Sequence, residues 1–480
     1  MKQFTVRDMT RLRLGSLLLA GLLTAGCVRS TGIDHQREML ALPATATDAD
    51  FAAWPSDRWW QTYDSPALNR LIEHGIADSP GIQTAQARLM AARAGTEFAN
   101  ARQMPQLGFG MESTFQRYSE NGLIPPSIGG EHRTDNRIAL DFNYELDLFG
   151  KNAAILKSAQ AQASAMEIDT YTARMGIATA IAKSWFLLAE AVAERAVITD
   201  TLHQRQKVLE LVLARVAQGL DSKVEQRQAE GAIPQIEGEL AAVDERIALT
   251  RAALAKLAVV PLADVAALAP VASKLNCPTL PDIIPSSLVA RRPEIVAAGQ
   301  RVASLLKGIE AVKAEFYPSV NLAAFAGFSA LGIGALFEEG AQVYGLTPAI
   351  RLPIFDAGRL RAKLKFVNAQ LDLAIADYND AVLSSMQDVI HSMISIRALA
   401  DRKKAQRAAQ LAAESAYDIA LQRFRAGLTG YLTVLATETE VLQERRAGVF
   451  LAARAYQLDV DLKRALGGGF DGTAFPAPSP

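Results

Sequence analysis

Cysteine is almost absent from this chain: Cys27 and Cys277 are the only two in 480 residues. No disulfide framework can be built from them, and no Cys-pair metal motif exists. Histidine is nearly as scarce. His35, His74, His132, His203 and His391 form no close pair, and no Walker, GxSxG or HExxH pattern occurs. The chain therefore reads as a non-enzyme with no metal site. A charge of one sign is lacking too, since 50 Lys and Arg against 51 Asp and Glu leave a net charge of -1. No basic block fits nucleic acid, and no acidic tail fits a cationic partner. With half its residues apolar and 21% charged, the chain is not disordered. After residue 26 no apolar run is long enough for a transmembrane helix, which needs about 20 residues. A mature chain that crosses a membrane must then do so as a closed β-barrel.

The N-terminus does carry a short apolar run. Lys2, Arg7, Arg11 and Arg13 precede the 12 residues Leu14 to Ala25. That run suits a secretory signal. "LTAGC" follows and resembles a bacterial lipobox, with Thr24 at the place usually held by Leu and Leu23 one step earlier. The resemblance implies removal of residues 1–26 and lipidation of Cys27. Val28, rather than Asp, favours sorting to the outer membrane. Three acyl chains at about 0.8 kcal/mol per buried CH2 make such an anchor effectively permanent. The covalent lipid on Cys27 is the one prosthetic group expected. Cys277 then reads as a free thiol in a connecting segment.

The chain also contains itself twice. "SPGIQTAQARLMAARAG" (79–95) lies over "RPEIVAAGQRVASLLKG" (292–308), with Pro80 over Pro293, Ile82 over Ile295 and Gly95 over Gly308 at an offset of 213. Pro105 meets Pro318 at the same offset, Phe149 meets Phe355 at 206, and "RVAQGL" meets "RFRAGL" at 208. A unit of about 200 residues is a duplicated half, far longer than a solenoid repeat. Each copy reads helix, strand, strand, long helix, Gly-Leu turn, long helix. The expected layout is an N-terminal segment 27–66, a first repeat 67–260, a connecting segment 261–286, a second repeat 287–466 and a tail 467–480.

The strands are expected near 106–117, 136–149, 319–329 and 342–355. In "RIALDFNYELDL", Ile138, Leu140, Phe142, Tyr144, Leu146 and Leu148 alternate with Ala139, Asp141, Asn143, Glu145 and Asp147. Tyr344, Leu346, Ile350, Leu352 and Ile354 alternate with Gly345, Thr347, Ala349 and Arg351, and Leu107, Phe109, Met111 and Phe115 share a face. Such lengths, with one apolar and one polar face, match a bilayer-spanning barrel wall. Four strands cannot close a barrel, because the smallest single-chain barrels have about 8. Several chains must share one wall; two give 8 strands and three give 12. "SENGLIPPSIGGEHRT" and "ALGIGALFEEG" are the connecting loops.

From about 152 to 217 and 358 to 425 no proline appears. Val367, Leu371, Ile375, Tyr378, Val382, Met386, Val389, Met393 and Ile396 advance in steps of three and four, one apolar stripe down a helix. Sixty-odd residues at 1.5 Å each give rods of roughly 100 Å. Pro234 is expected to interrupt and bend one returning helix. Gly219 and Gly427 supply the left-handed turn at each hairpin tip, and Arg215 and Arg423 lie one turn earlier, where a cation suits a helix C-terminus. Leu220 and Leu428 have no such structural reason and mark the tips as docking surfaces.

Taken in order, "WWQTYDSPALNRLI", "RRPEI", "FYPSVNL", "LPIFDAGRLRAKL", "RFRAGLTGYLTVL" and "ALGGGF" resemble the TolC-type outer-membrane factors, in their lipoprotein (NodT-like) branch serving resistance-nodulation-division pumps. The resemblance covers about residues 54–469. It implies a mostly α chain with a β-barrel part: a homotrimer forming a 12-stranded transmembrane barrel, continued by a long α-helical periplasmic barrel. It implies an exit duct for drugs and toxic compounds, with a periplasmic adaptor and an inner-membrane pump as partners. The tip motif falls on Ala426, Gly427, Leu428 and Thr429 (tip 426–430), and in the first copy on Gln218, Gly219, Leu220 and Asp221. The constriction leucine corresponds to Leu432, after Tyr431, and an acidic gate residue corresponds to Glu225. Ala436 and Thr439 stand where relatives carry an Asp and an Arg, which argues against a charged lock at this level. Asp388-Val389 replaces the usual Glu-Val. Competing readings are the exit duct of a type I protein-secretion system and a trimeric envelope scaffold or adhesin.

Overall fold

Both long helices begin the same way, and the sequence shows why. In "ELDLFGK" the Asp147 carboxylate accepts the backbone N–H groups of Asn152 (3.1 Å) and Ala153 (2.8 Å), behind a left-handed Gly150. In "PIFDAGR" Asp356 accepts Gly358 N–H (3.0 Å) and Leu360 N–H (2.8 Å), with Gly358 left-handed. Capping by an acid satisfies the orphan donors of a helix start. It also ends the preceding strand. The second strand therefore runs His132–Leu146 and the fourth Gln342–Arg351, stopping short of Asp147 and of Pro353 rather than reaching 149 and 355.

The computed structural model describes residues 30–41, 56–121, 125–271, 291–471 and 475. Cys27, Cys277 and the signal segment lie outside these. The first copy contains a 3-10 turn Trp59–Tyr63, α1 (Pro66–Asp78), α2 (Pro80–Ala101), β1 (Gln106–Arg117), β2 (His132–Leu146), α3 (Lys151–Ala217), α4 (Lys223–Ala258) and a short α5 (Leu262–Ala266). The second contains α6 (Pro293–Ala314), β3 (Ser319–Leu331), β4 (Gln342–Arg351), α7 (Arg359–Arg425) and α8 (Tyr431–Ala465). The helices α3 and α7 each have 67 residues, about 100 Å of rod. Pro234 lies inside α4 and does not end it. One stretch of α3 is apolar enough by length and composition to cross a bilayer. Its side chains Ile181, Trp185, Phe186 and Leu188 are instead buried against other helices.

The strands form one antiparallel sheet in the order β1-β2-β3-β4, so the two copies join through β2 and β3. The register puts Leu107 opposite Phe142, Phe109 opposite Leu140 and Met111 opposite Ile138. It continues with Phe142 opposite Ala324, Leu140 opposite Ala326, and Ala324 opposite Leu346. Directly paired residues share a face, so one side of the sheet is apolar over these rows and gives way to Ser113, Asn136 and Thr134 toward its loop end. The other carries Glu112, Arg137, Asp141, Asn143, Glu145, Asn321 and Thr347. The edge strands β1 and β4 are almost wholly exposed within the chain, whereas β2 and β3 between them are mostly half-buried.

Packing along the rods is divided into separate clusters. A waist cluster gathers Trp59, Tyr63, Ile72, Ile181, Phe186, Ile236, Tyr456 and Val460. Ser65 caps α1, and Gly75 is needed there because a Cβ would come within 2.5 Å of Ile181 Cδ1. A second cluster joins α6 to α7 through Ile295, Val302, Leu364, Leu371, Ile375 and Val382, the last three belonging to the predicted stripe of α7. A third lies near the tips: Val208, Val212, Tyr417, Phe424, Tyr431 and Val434. A further stripe of α7, formed by Phe366, Leu373, Ile390, Ile394, Leu411 and Ile419, stays exposed in the single chain.

Candidate functional site at the hairpin tips

The two tips have the same backbone. In the first, Gly219 (φ 76°) lets Leu220 N–H return to Arg215 C=O at 2.9 Å and Gly219 N–H to Val216 C=O at 3.0 Å. In the second, Gly427 (φ 78°) lets Leu428 N–H return to Arg423 C=O at 2.8 Å and Gly427 N–H to Phe424 C=O at 3.0 Å. This paired closure of orphan carbonyls is the Schellman arrangement, for which a left-handed glycine is suited. Leu220 and Leu428 protrude, 61% and 67% exposed.

The side chains differ. Arg215 is turned inward. Its Nε and Nη2 donate to Asp221 at 2.8 and 3.1 Å, its Nη1 donates to Phe424 C=O at 3.1 Å, and its guanidinium lies 4.7 Å from the Phe424 ring centre. Its cation therefore neutralises the C-terminus of α7 as well as that of its own helix. Asp221, the departure from the tip motif, exists as its counterion. Arg423 is exposed, and its side chain has no recorded partner among the described residues. Thr429, at the place equivalent to Asp221, donates instead to the Thr433 hydroxyl at 3.0 Å.

Glu225 completes a capping box. It accepts from the Ser222 hydroxyl and from Ser222 N–H (3.0 Å), while Ser222 Oγ accepts Val224 N–H (3.1 Å). The Ser222 hydroxyl bond holds the Glu225 carboxyl below its usual range. Tyr431 is buried beside Phe424, ring centres 6.3 Å apart, and burial pushes its phenol up. Leu432, its neighbour, is exposed. Ala436 carries no charge, and Thr439 returns its hydroxyl to Leu435 C=O at 2.8 Å.

A polar contact above the tips joins three helices. Arg205 of α3 donates Nε to Glu438 of α8 at 2.8 Å and Nη1 to Ala232 C=O of α4 at 3.0 Å. Both ionic side chains are nearly closed off, 6% and 5% exposed. Burial raises the Glu438 carboxyl against the opposing pull of Arg205. The neighbouring Tyr417 phenol is pushed up to about 12 by burial and then by Glu438. One guanidinium thus ties both hairpins together. The signal was in the sequence: Tyr431, Val434, Glu438 and Val441 advance by three, four and three, placing an acid in an apolar stripe. Higher on the rod Arg292, from "RRPEI", pairs with Asp388 at 2.8 Å and with Glu294 at 3.4 Å. Among the described residues no group of His, Cys, Asp and Glu could hold a metal ion.

Comparison with known proteins gives this architecture its setting. The multidrug resistance outer membrane protein MdtQ of Escherichia coli O157:H7 is 29% identical over 476 residues, covering 94% of this chain and 96% of the relative. The multidrug resistance outer membrane protein MdtP of Escherichia coli K12 is 28% identical over 488 residues, covering 97% and 98%. The crystal structure of the outer membrane protein VceC from Vibrio cholerae matches with a TM-score of 0.83 at 33% identity, over 87% of this chain and all of VceC. The family described as outer membrane efflux protein matches residues 71–258 and 284–468, and this chain belongs to it: an outer-membrane transport duct rather than an enzyme.

Proposed function

We propose that three copies assemble into one 12-stranded barrel and a continuous helical tunnel, the passive exit duct of a tripartite pump for drugs and other toxic small molecules. The observation that carries this is the sheet: four strands, an apolar outer face and free outer edges on β1 and β4. Open edges in lipid leave backbone groups unpaired at several kcal/mol each, and β4 of one copy can complete β1 of the next. The exposed stripe of α7 supplies the matching helical seam. The relatives' names support drugs as cargo.

The N-terminal segment supports a lipid on Cys27. Gln36 and Arg37 donate their backbone N–H groups to Asp372 at 2.8 and 2.9 Å, and Leu40 donates to Asn379 at 2.8 Å. Asn379 Nδ2 returns a bond to Glu38 C=O at 3.0 Å, and Ile33 is buried against α6 and α7. The segment descends α7 away from the sheet. Backwards from Gln36, nine residues reach up to about 30 Å, whereas Asp372 lies about 20 Å from the start of α7. A span of that length suffices for an acyl chain carried on Cys27 to enter the membrane at the foot of the barrel.

At the other end a periplasmic adaptor docks on the tips, and a resistance-nodulation-division pump drives export through it. Leu432 closes the duct, with Tyr431 and Glu225 bracing the adjoining turns. The adaptor opens the duct only as far as its affinity for the splayed state exceeds that for the closed one. Deletion of the gene, followed by a panel of antibiotics, dyes, metals and bile salts, is expected to sensitise the cell to several small molecules. Full resistance in the deletion strain, or a purified protein that is strictly monomeric in detergent, would overturn this reading.

A further inference from the structure

Phe109, Phe115, Phe142, Tyr144, Phe328 and Tyr344 all lie on the apolar face of the sheet. Phe325 is the one Phe or Tyr of the four strands on the polar face. It pairs with Asp141 on one side and with Gly345 on the other. A Cβ on Gly345 would come within 2.6 Å of Phe325 Cε1 and 2.7 Å of its Cζ, so the ring lies over the glycine and against the sheet. Arg137 lies down from the other side. Its Nη2 donates to Asp141, four residues along the same strand, at 2.7 Å, and its guanidinium is 5.4 Å from the Phe325 ring centre. Ala139 and Gly327, paired between these rows, leave room for it. Ring, guanidinium and carboxylate form one plate that stays half-exposed in the single chain. Glu112, opposite Arg137 in the register, accepts from the Thr114 hydroxyl at 3.5 Å and makes no salt bridge among the described residues. With Arg137 matched by Asp141, the plate has one negative charge in excess.

Resting on the duct reading above, in which the polar face lines the bore, we propose that Phe325 and Arg137 form a cargo-binding plate in the barrel wall, selective for flat aromatic cations. A planar molecule stacks on ring and guanidinium, and a positive charge on it is drawn by the ring and by Glu112. The plate is not a gate. Twelve strands about 4.8 Å apart and tilted by about 40° enclose a bore of about 24 Å between backbones. Rings lying along that wall leave most of it open. Cargo therefore touches the plate in passing, and the barrel acquires a preference for planar molecules that the rest of its polar wall does not provide. The ring also shields the backbone of an edge strand at Gly345, a structural role of its own.

The two roles separate in planar bilayers holding the purified full-length protein, with ethidium or tetrabutylammonium added on the barrel side. Each carries one positive charge, and only ethidium is flat. Ethidium is expected to block the ion current of the wild type at a concentration about tenfold lower than tetrabutylammonium requires. Phe325→Leu keeps Gly345 covered but offers no ring, and should abolish that difference. Phe325→Tyr should preserve it. Unblocked conductance and trimer content in detergent should be the same in all three proteins. Equal block of the wild type by the two cations, a comparison that needs no variant, would overturn the plate. So would an ethidium block that F325L leaves unchanged. A wild-type protein that forms no trimer and passes no current would instead overturn the duct reading.

Discussion

Replacing Glu438 with Gln leaves the shape of the interhelical contact intact and removes its charge. Arg205, 6% exposed, then keeps a buried cation with no counterion. Breaking a buried pair in this way costs about 3–5 kcal/mol. The cost falls on the contact that holds α8 to α3 and α4, seven residues into α8 and so about 10 Å of helix above its start at the tip. The suitable assay is amide hydrogen exchange of the detergent-solubilised protein, read over 431–441 and the facing part of α3. Where exchange proceeds through local opening, that energy accelerates it by about a hundredfold to a few thousandfold. The sheet and the waist cluster should exchange as before, because their contacts are separate. The double replacement Arg205→Met with Glu438→Leu removes both charges and should restore protection, since apolar substitutes for a buried pair are neutral or stabilising. An increase below about threefold for the single replacement, under 1 kcal/mol, would refute the assignment of a latch. So would a double replacement as labile as the single one.

Other outcomes follow from the same geometry. Leu432→Ala should raise ion conductance of the isolated trimer in planar bilayers, and unchanged conductance would remove it from the gate. Glu225 carries a carboxyl lowered by its Ser222 bonds. Its contribution is complete above the unfolded carboxylate value of about 4.3 and is lost as pH falls through the lower folded value. Protection of the first amides of α4 should therefore drop in acid, and Glu225→Gln should flatten that dependence. Asp372→Ala with Asn379→Ala removes the acceptors that hold residues 36–40. Limited proteolysis should then cut within this segment while the rods stay intact; an uncut segment would show that Ile33 alone suffices. Gly75→Ala should overpack the waist against Ile181 and lower thermal stability by about 1–3 kcal/mol.

Local pattern carried much of this protein. The period-two runs at Ile138–Leu148 and Tyr344–Ile354 determined which sheet face is apolar, because alternate side chains on a strand must diverge whatever the strand pairs with. The three-and-four spacing from Val367 to Ile396 determined the buried side of α7 for the same geometric reason, and Gly219 and Gly427 determined where the chain turns. Tertiary structure alone decided that β2 joins β3, that Arg215 closes onto Phe424, and that Arg205 meets Glu438 and the Ala232 carbonyl. These partners belong to different elements, many of them about 200 residues apart along the chain. Their meeting depends on how two long rods are set against each other, an alignment to which no single helix or strand contains the key.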